Sequence, residues 1–134
     1  MPEAENMRVV KEFYAAIGRD DLKAILGLLA KDVDWTFFGT KEIPFAGTQR
    51  GPDQVSNFFS VIAETMEVEH FGPEEFIAQG DWVVALGRER MRIKPTGRRY
   101  EAAWTHAFKL RDGKIAVYRE YSDTAAILAA FKPA

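Results

Sequence analysis

The chain of 134 residues has no cysteine and only two histidines, His70 and His106. Disulfide scaffolds, zinc–thiolate centres and thiol nucleophiles are therefore excluded. Two histidines without HxxxH or HExxH spacing give no basis for a metal site, and no cofactor motif is present, so no metal and no cofactor is expected. No apolar run reaches the length needed to cross a bilayer. The opening Met1-Pro-Glu-Ala-Glu-Asn6 is polar and acidic, unlike a secretion signal, so a cytoplasmic location is expected. A net charge of −2 lacks the basic excess that nucleic acid or an anionic membrane would attract, and neither is expected as a partner.

What is present is a 47% hydrophobic, 13% aromatic composition, enough to bury a full core as one domain spanning 1–134. Apolar residues Val9, Val10, Phe13, Tyr14 and Ile17 recur at helical spacing, predicting a helix over 6–17. Gly18-Arg-Asp-Asp21 stops it and caps a second helix with Leu22, Ile25, Leu26, Leu28 and Leu29 on one face. Val33–Phe38 reads as a short aromatic strand. Residues 45–52 read as a loop ending in a proline at the start of a third helix, which carries Val55, Phe58, Phe59, Ile62 and Met66. Strands near 67–71, 74–79, 82–93, 100–110 and 115–122 follow, divided by glycine-containing turns. Ser122 or Asp123 caps a closing helix that runs to about Phe131. Helices followed by antiparallel strands make an α+β domain, with helices packed on one face of a curved sheet.

One strand carries an anomaly. From Val83 to Ile93 the odd positions are Val83, Ala85, Gly87, Glu89, Met91 and Ile93: an apolar face broken by one carboxylate. Buried without a partner, Glu89 would cost on the order of 2–7 kcal/mol or more. The even positions place Arg88, Arg90 and Arg92 outside, where with Arg98 and Arg99 they read as cross-strand partners for glutamates. His70, among Glu67 and Glu69, reads as a surface residue.

The partners of Glu89 depend on the hairpin at Arg111-Asp-Gly-Lys114. A two-residue turn sets His106 opposite Arg119. A three-residue turn with a bulge at Gly113 sets His106 opposite Tyr118 and Trp104 opposite Glu120. A slip of one residue exchanges the faces of the strand, so the two turns put different residues inside.

The order helix, helix, strand, helix and long strands resembles the nuclear transport factor 2-like superfamily. That group holds SnoaL-like polyketide cyclases, ketosteroid isomerase and limonene epoxide hydrolase. The resemblance covers essentially the whole chain. It is carried by Phe13-Tyr-Ala-Ala-Ile17, Asp20-Asp-Leu22, Leu29-Ala-Lys-Asp-Val33, Phe45-Ala-Gly-Thr-Gln-Arg-Gly51, Pro95-Thr-Gly-Arg98 and Asp112-Gly-Lys-Ile-Ala-Val-Tyr-Arg-Glu-Tyr-Ser-Asp123. It implies a cone-shaped, cystatin-like α+β barrel: a curved antiparallel (mixed) sheet with N-terminal helices on its concave face. It also favours the three-residue turn, with Glu120 inside and Arg119 outside.

On that arrangement the catalytic candidates are Glu120, Glu89 and His106. The substrate-binding candidates are Tyr14, Trp35, Phe37, Phe59, Met91, Trp104, Phe108 and Tyr118. By resemblance to the hydrolases, Glu120 corresponds to a general base and Glu89 to a general acid. By resemblance to the isomerases, His106 stands where an acid helps hold an oxyanion. The chain departs from both patterns. Gly87 stands where the hydrolases bridge their acids with arginine, and Trp35 and Phe37 replace their water-positioning residues. Against the isomerases, Phe13 replaces a tyrosine donor and Phe37 a base.

Two functions follow as expectations. One is a cofactor-independent acid–base enzyme of isomerase, hydrolase or cyclase type, acting on a hydrophobic small molecule. The other is a non-catalytic binding domain for such a molecule. Trp82, Val84 and Leu86 on the outer sheet face, together with the resemblance, imply a homodimer through that face.

Overall fold

The computed structural model describes residues 2–133. Helix α1 (Pro2–Gly18) and the short α2 (Leu22–Gly27) precede strand β1 (Leu29–Phe37) and strand β2 (Gly47–Arg50). Helix α3 (Gly51–Thr65) leads into β3 (Met66–Gln79), β4 (Trp82–Ile93), β5 (Arg99–Arg111) and β6 (Lys114–Ser122), and α4 (Thr124–Phe131) closes the chain. The six strands form one mixed sheet in the order β2-β1-β6-β5-β4-β3, antiparallel except where β1 runs parallel to β6.

The helix boundaries follow local chemistry. Asp21 caps α2 by accepting from Ala24 N (3.1 Å), and Asp123 caps α4 by accepting from Ala126 N (3.2 Å). Pro52 stands in the first turn of α3, where its missing N–H is no loss. Buried Val9, Val10, Phe13 and Tyr14 of α1 and Val55 and Phe58 of α3 face the sheet.

Four expectations need correction. The second helix ends at Gly27, and Leu29 instead opens β1, pairing with Ile115. Residues 47–50 are an edge strand on β1, in register Trp35↔Gln49 and Phe37↔Gly47. Gly72-Pro73 does not divide two strands. β3 runs through it as the opposite sheet edge, where a missing ladder donor is tolerated, and bulges near Glu69 and Glu74 take up the irregularity.

The fourth correction concerns the β5–β6 turn. Asp112 (φ 52°) and Gly113 (φ 75°) are both left-handed, and Arg111 pairs with Lys114, so the turn has two residues and is of type I′. The extra residue lies farther along, where the register slips between Leu110↔Ile115 and Lys109↔Val117. Ile115 and Ala116 are consequently buried in succession, with Ala116 as the bulge. The slip brings Glu120 inside and leaves Arg119 outside. The pairing differs from the expected one: His106 lies opposite Glu120, Phe108 opposite Tyr118 and Trp104 opposite Ser122.

On the outer face the arginines pair across strands: Arg88 with Glu74 (3.7 Å), Arg90 with Glu69 (3.5 Å) and Glu101 (3.6 Å), Arg92 with Glu67 (3.8 Å), and Arg99 with Glu69 (2.8 Å). Such exposed pairs contribute at most about 1 kcal/mol each. His70 is exposed. Among the described residues no helix is long and apolar enough to cross a membrane.

Candidate active site

Between the helices and the concave sheet face lies a cavity of about 670 Å³. Its walls are mainly aromatic: Phe13 of α1, Trp35 and Phe37 of β1, Phe58 and Phe59 of α3, and Tyr118 of β6. The exposed lining residues Asp20, Leu22, Ser60, Ala63 and Val68 mark its rim. Among the described residues no lysine or arginine lines it. Its polar wall is Glu89, His106 and Glu120, with the Tyr118 hydroxyl beside them.

Strand parity delivers these three groups. Glu89 lies on β4 opposite Ala102, and His106 on β5 lies opposite Glu120 on β6. Relative exposure is 7% for each glutamate and 2% for His106. Tyr118 donates to Glu120 Oε1 (2.6 Å), and His106 Nε2 lies 3.4 Å from the same oxygen, beyond a good hydrogen bond. Tyr100 donates to Glu89 Oε2 (2.5 Å).

The two carboxylates are thereby set apart. Burial, reinforced by the nearby negative charge of Glu120, pushes Glu89 up to about 8, against a smaller downward pull from the Tyr100 hydrogen bond. Glu89 is consequently a protonated acid at neutral pH, and its carboxyl can donate as well as accept. Burial also raises the Tyr118 and Tyr100 hydroxyls, with Glu120 the second cause for Tyr118 and Glu89 for Tyr100, so both remain donors.

Of the residues expected to bind substrate, Trp35, Phe37, Phe59, Met91 and Tyr118 line the cavity. Tyr14, Trp104 and Phe108 do not; they are core residues behind His106. Tyr14 turns its hydroxyl to His106 Nδ1 (2.7 Å) instead of into the cavity. Trp104 stacks on the imidazole at 3.8 Å and 10°. Phe108 packs edge-on against Phe13 at 5.3 Å.

Gly87 accounts for the place of Trp104. A Cβ there would sit 2.3 Å from Trp104 Cζ2 and 2.4 Å from Gly72 O. The indole therefore occupies the space a side chain at position 87 would need, and no arginine fits between the acids from that position. Trp35 stacks on Tyr118 at 3.7 Å, and its Nε1 has no hydrogen-bond partner.

Tyr100 is the site residue that sequence reasoning missed. Its signal was available: it shares the even, inward parity of Trp104 and His106 on β5, and it stands opposite Met91, one inward position from Glu89. Among the described residues no cluster of three or more His, Cys, Asp or Glu could hold a metal ion.

Comparison with known proteins agrees with this fold. The sequence model of the SnoaL-like domain family matches residues 10–118. An NTF2-like protein from Burkholderia xenovorans LB400 is 37% identical, with a TM-score of 0.88 over 97% of this chain and 98% of that one. An NTF2-like protein of unknown function from Burkholderia pseudomallei K96243 is 31% identical, with a TM-score of 0.88 over 96% of this chain and 98% of that one. TerC, co-crystallised with polyporic acid, is 26% identical, with a TM-score of 0.83 over 95% of this chain and 98% of that one.

Proposed function

The chain belongs to the SnoaL-like family of NTF2-like proteins, and from that premise we propose that it is a cofactor-independent acid–base enzyme for an apolar small molecule. The observation that carries this reading is the pair Glu89 and Glu120: two carboxylates on one aromatic cavity, with Glu89 held above the ordinary carboxylate range by burial and by the charge of Glu120. Glu120 is the base. It takes a proton from a bound C–H, O–H or water, with Tyr118 and His106 facing the charge it carries. Glu89 is the acid. At neutral pH it holds the proton that a developing oxyanion requires, and Tyr100 supports the carboxylate it leaves behind. The absence of a cation among the described lining residues favours an uncharged substrate. TerC, crystallised with polyporic acid, supports small-molecule binding in this fold.

A second reading, a non-catalytic binding domain, is favoured by Trp35 and Phe37. Their aromatic rings line the cavity at positions where, by the resemblance, related enzymes hold water or a base. The two readings separate on one experiment. A panel of apolar ketones, epoxides and phenols is screened by thermal shift, and stabilising compounds are followed for conversion by the wild type and Glu120→Gln. Conversion by the wild type alone supports the enzyme; binding by both proteins with conversion by neither supports the binding domain.

The protein is further proposed to pair with a second copy through the outer sheet face, where Trp82, Val84 and Leu86 are only half-buried and Ile77 and Tyr121 are exposed.

A further inference from the structure

Tyr14 lies outside the cavity, yet its hydroxyl hydrogen-bonds His106 Nδ1 at 2.7 Å, with both groups buried. Two arguments fix the direction of that bond. If Nδ1 carried the proton and Tyr14 accepted, the phenol O–H would have no acceptor in an apolar surrounding made by Phe71, Phe76, Trp104 and Phe108. In the same tautomer, the bare lone pair of Nε2 would point toward Glu120 Oε1, 3.4 Å away, pair against pair. If Tyr14 donates, both conflicts vanish: Nδ1 accepts, and Nε2–H faces the carboxylate. The ring plane is set separately, by Trp104 stacked at 3.8 Å on the imidazole and seated over Gly87.

We infer that Tyr14 is a positioning residue that locks His106 as the neutral Nε2–H tautomer, holding that N–H beside Glu120 Oε1 in the wall of the cavity. The Nε2 atom has no well-formed hydrogen bond, although His106 is 2% exposed and lines the cavity. A charge carried by Glu120 meets this N–H already in place, at no cost of reorientation of the ring. The titratable groups around the imidazole are Tyr14, Tyr118 and Glu120. The role offered to the donor rests on the cavity being the working site; the tautomer itself does not.

The test is imidazole ¹⁵N NMR of the ligand-free protein at neutral pH. With two histidines in the chain and His70 exposed, the surface ring serves as an internal reference. The expected wild-type pattern for His106 is Nδ1 in the unprotonated range and Nε2 in the protonated range. Tyr14→Phe, which keeps the ring and removes the donor, is expected to move Nδ1 away from its hydrogen-bonded position and to mix the tautomers. A protonated Nδ1 in the wild type overturns the inference, as does a doubly protonated ring. So does a Tyr14→Phe spectrum identical at both nitrogens. Should that variant fail to fold, 3-fluorotyrosine incorporated at position 14 fits the same space and donates more strongly. It is expected to shift Nδ1 further, and an unmoved Nδ1 overturns the positioning role. Because no turnover is measured, a failed tautomer and a failed enzyme reading remain separate results.

Discussion

Glu120 stands directly across the β5–β6 ladder from His106, and a single inserted residue, Ala116, puts it there. Without the bulge, the type I′ turn at Asp112-Gly113 would set Arg119 against His106 and turn the carboxylate outward. The site's polarity therefore hangs on one irregularity of the backbone. Deleting Ala116 is expected to leave a regular ladder, with Lys109↔Val117 following Leu110↔Ile115 directly and Glu120 still opposite His106, read as a retained cooperative transition in thermal denaturation. A deletion variant that fails to fold would show that the bulge does more than set the register.

A second prediction concerns position 87. Gly87→Ala places a methyl within 2.4 Å of both the Trp104 ring and the Gly72 carbonyl. The indole can shift; the backbone oxygen cannot without disturbing β3. The expected loss is about 1–3 kcal/mol or more in denaturant unfolding. Gly87→Ala combined with Trp104→Phe should recover only part of it.

Stability should depend on pH through Glu89. Its affinity for the proton is higher folded than unfolded, so the native state binds the extra proton and is favoured at low pH. That advantage is full below the ordinary carboxylate range, about 4.3, and is lost as pH rises through about 8. Glu89→Gln, which cannot ionise, should flatten this decline and be more stable than the wild type at pH 9 by on the order of 2 kcal/mol. Equal pH slopes for the two proteins would contradict the assignment.

The outer face yields a prediction of assembly. Trp82 is half-buried, with Lys109 and Arg119 each 5.9 Å from its ring, and Val84 lies opposite the exposed Ile77. Val84→Glu should convert a dimer to a monomer in light scattering at micromolar concentration while leaving the cavity intact. A wild-type protein that is already monomeric there removes the dimer.

Much of this was legible in the sequence because a strand's period of two is strict. Glu89 announced itself as the one carboxylate on an apolar face, and the same parity brought His106 inward. The face of Glu120 was reached through the wrong turn: bulging at Gly113 and bulging at Ala116 have the same effect on facing but give different cross-strand partners. Parity also marked Tyr100, yet its distance from the aromatic run around Trp104 hid it.

What periodicity could not report was depth. Tyr14, Trp104 and Phe108 face the right way and still miss the cavity, because Gly87 lets the indole sink and the helix places the phenol on the imidazole. The edge strand Gly47–Arg50 and the unbroken β3 were concealed by residues that ordinarily mark turns. Edge positions forgive such residues, and edge status is a property of the assembled sheet.

The central claim is that the cavity keeps the Glu89 carboxyl protonated at neutral pH. Its most direct test is a side-chain carboxyl ¹³C NMR titration of the ligand-free protein, with Glu89 assigned by loss of its resonance in Glu89→Gln. The expected midpoint for Glu89 is about 8; titration in the ordinary carboxylate range near 4.3 would contradict the acid assigned to it and the mechanism built on it.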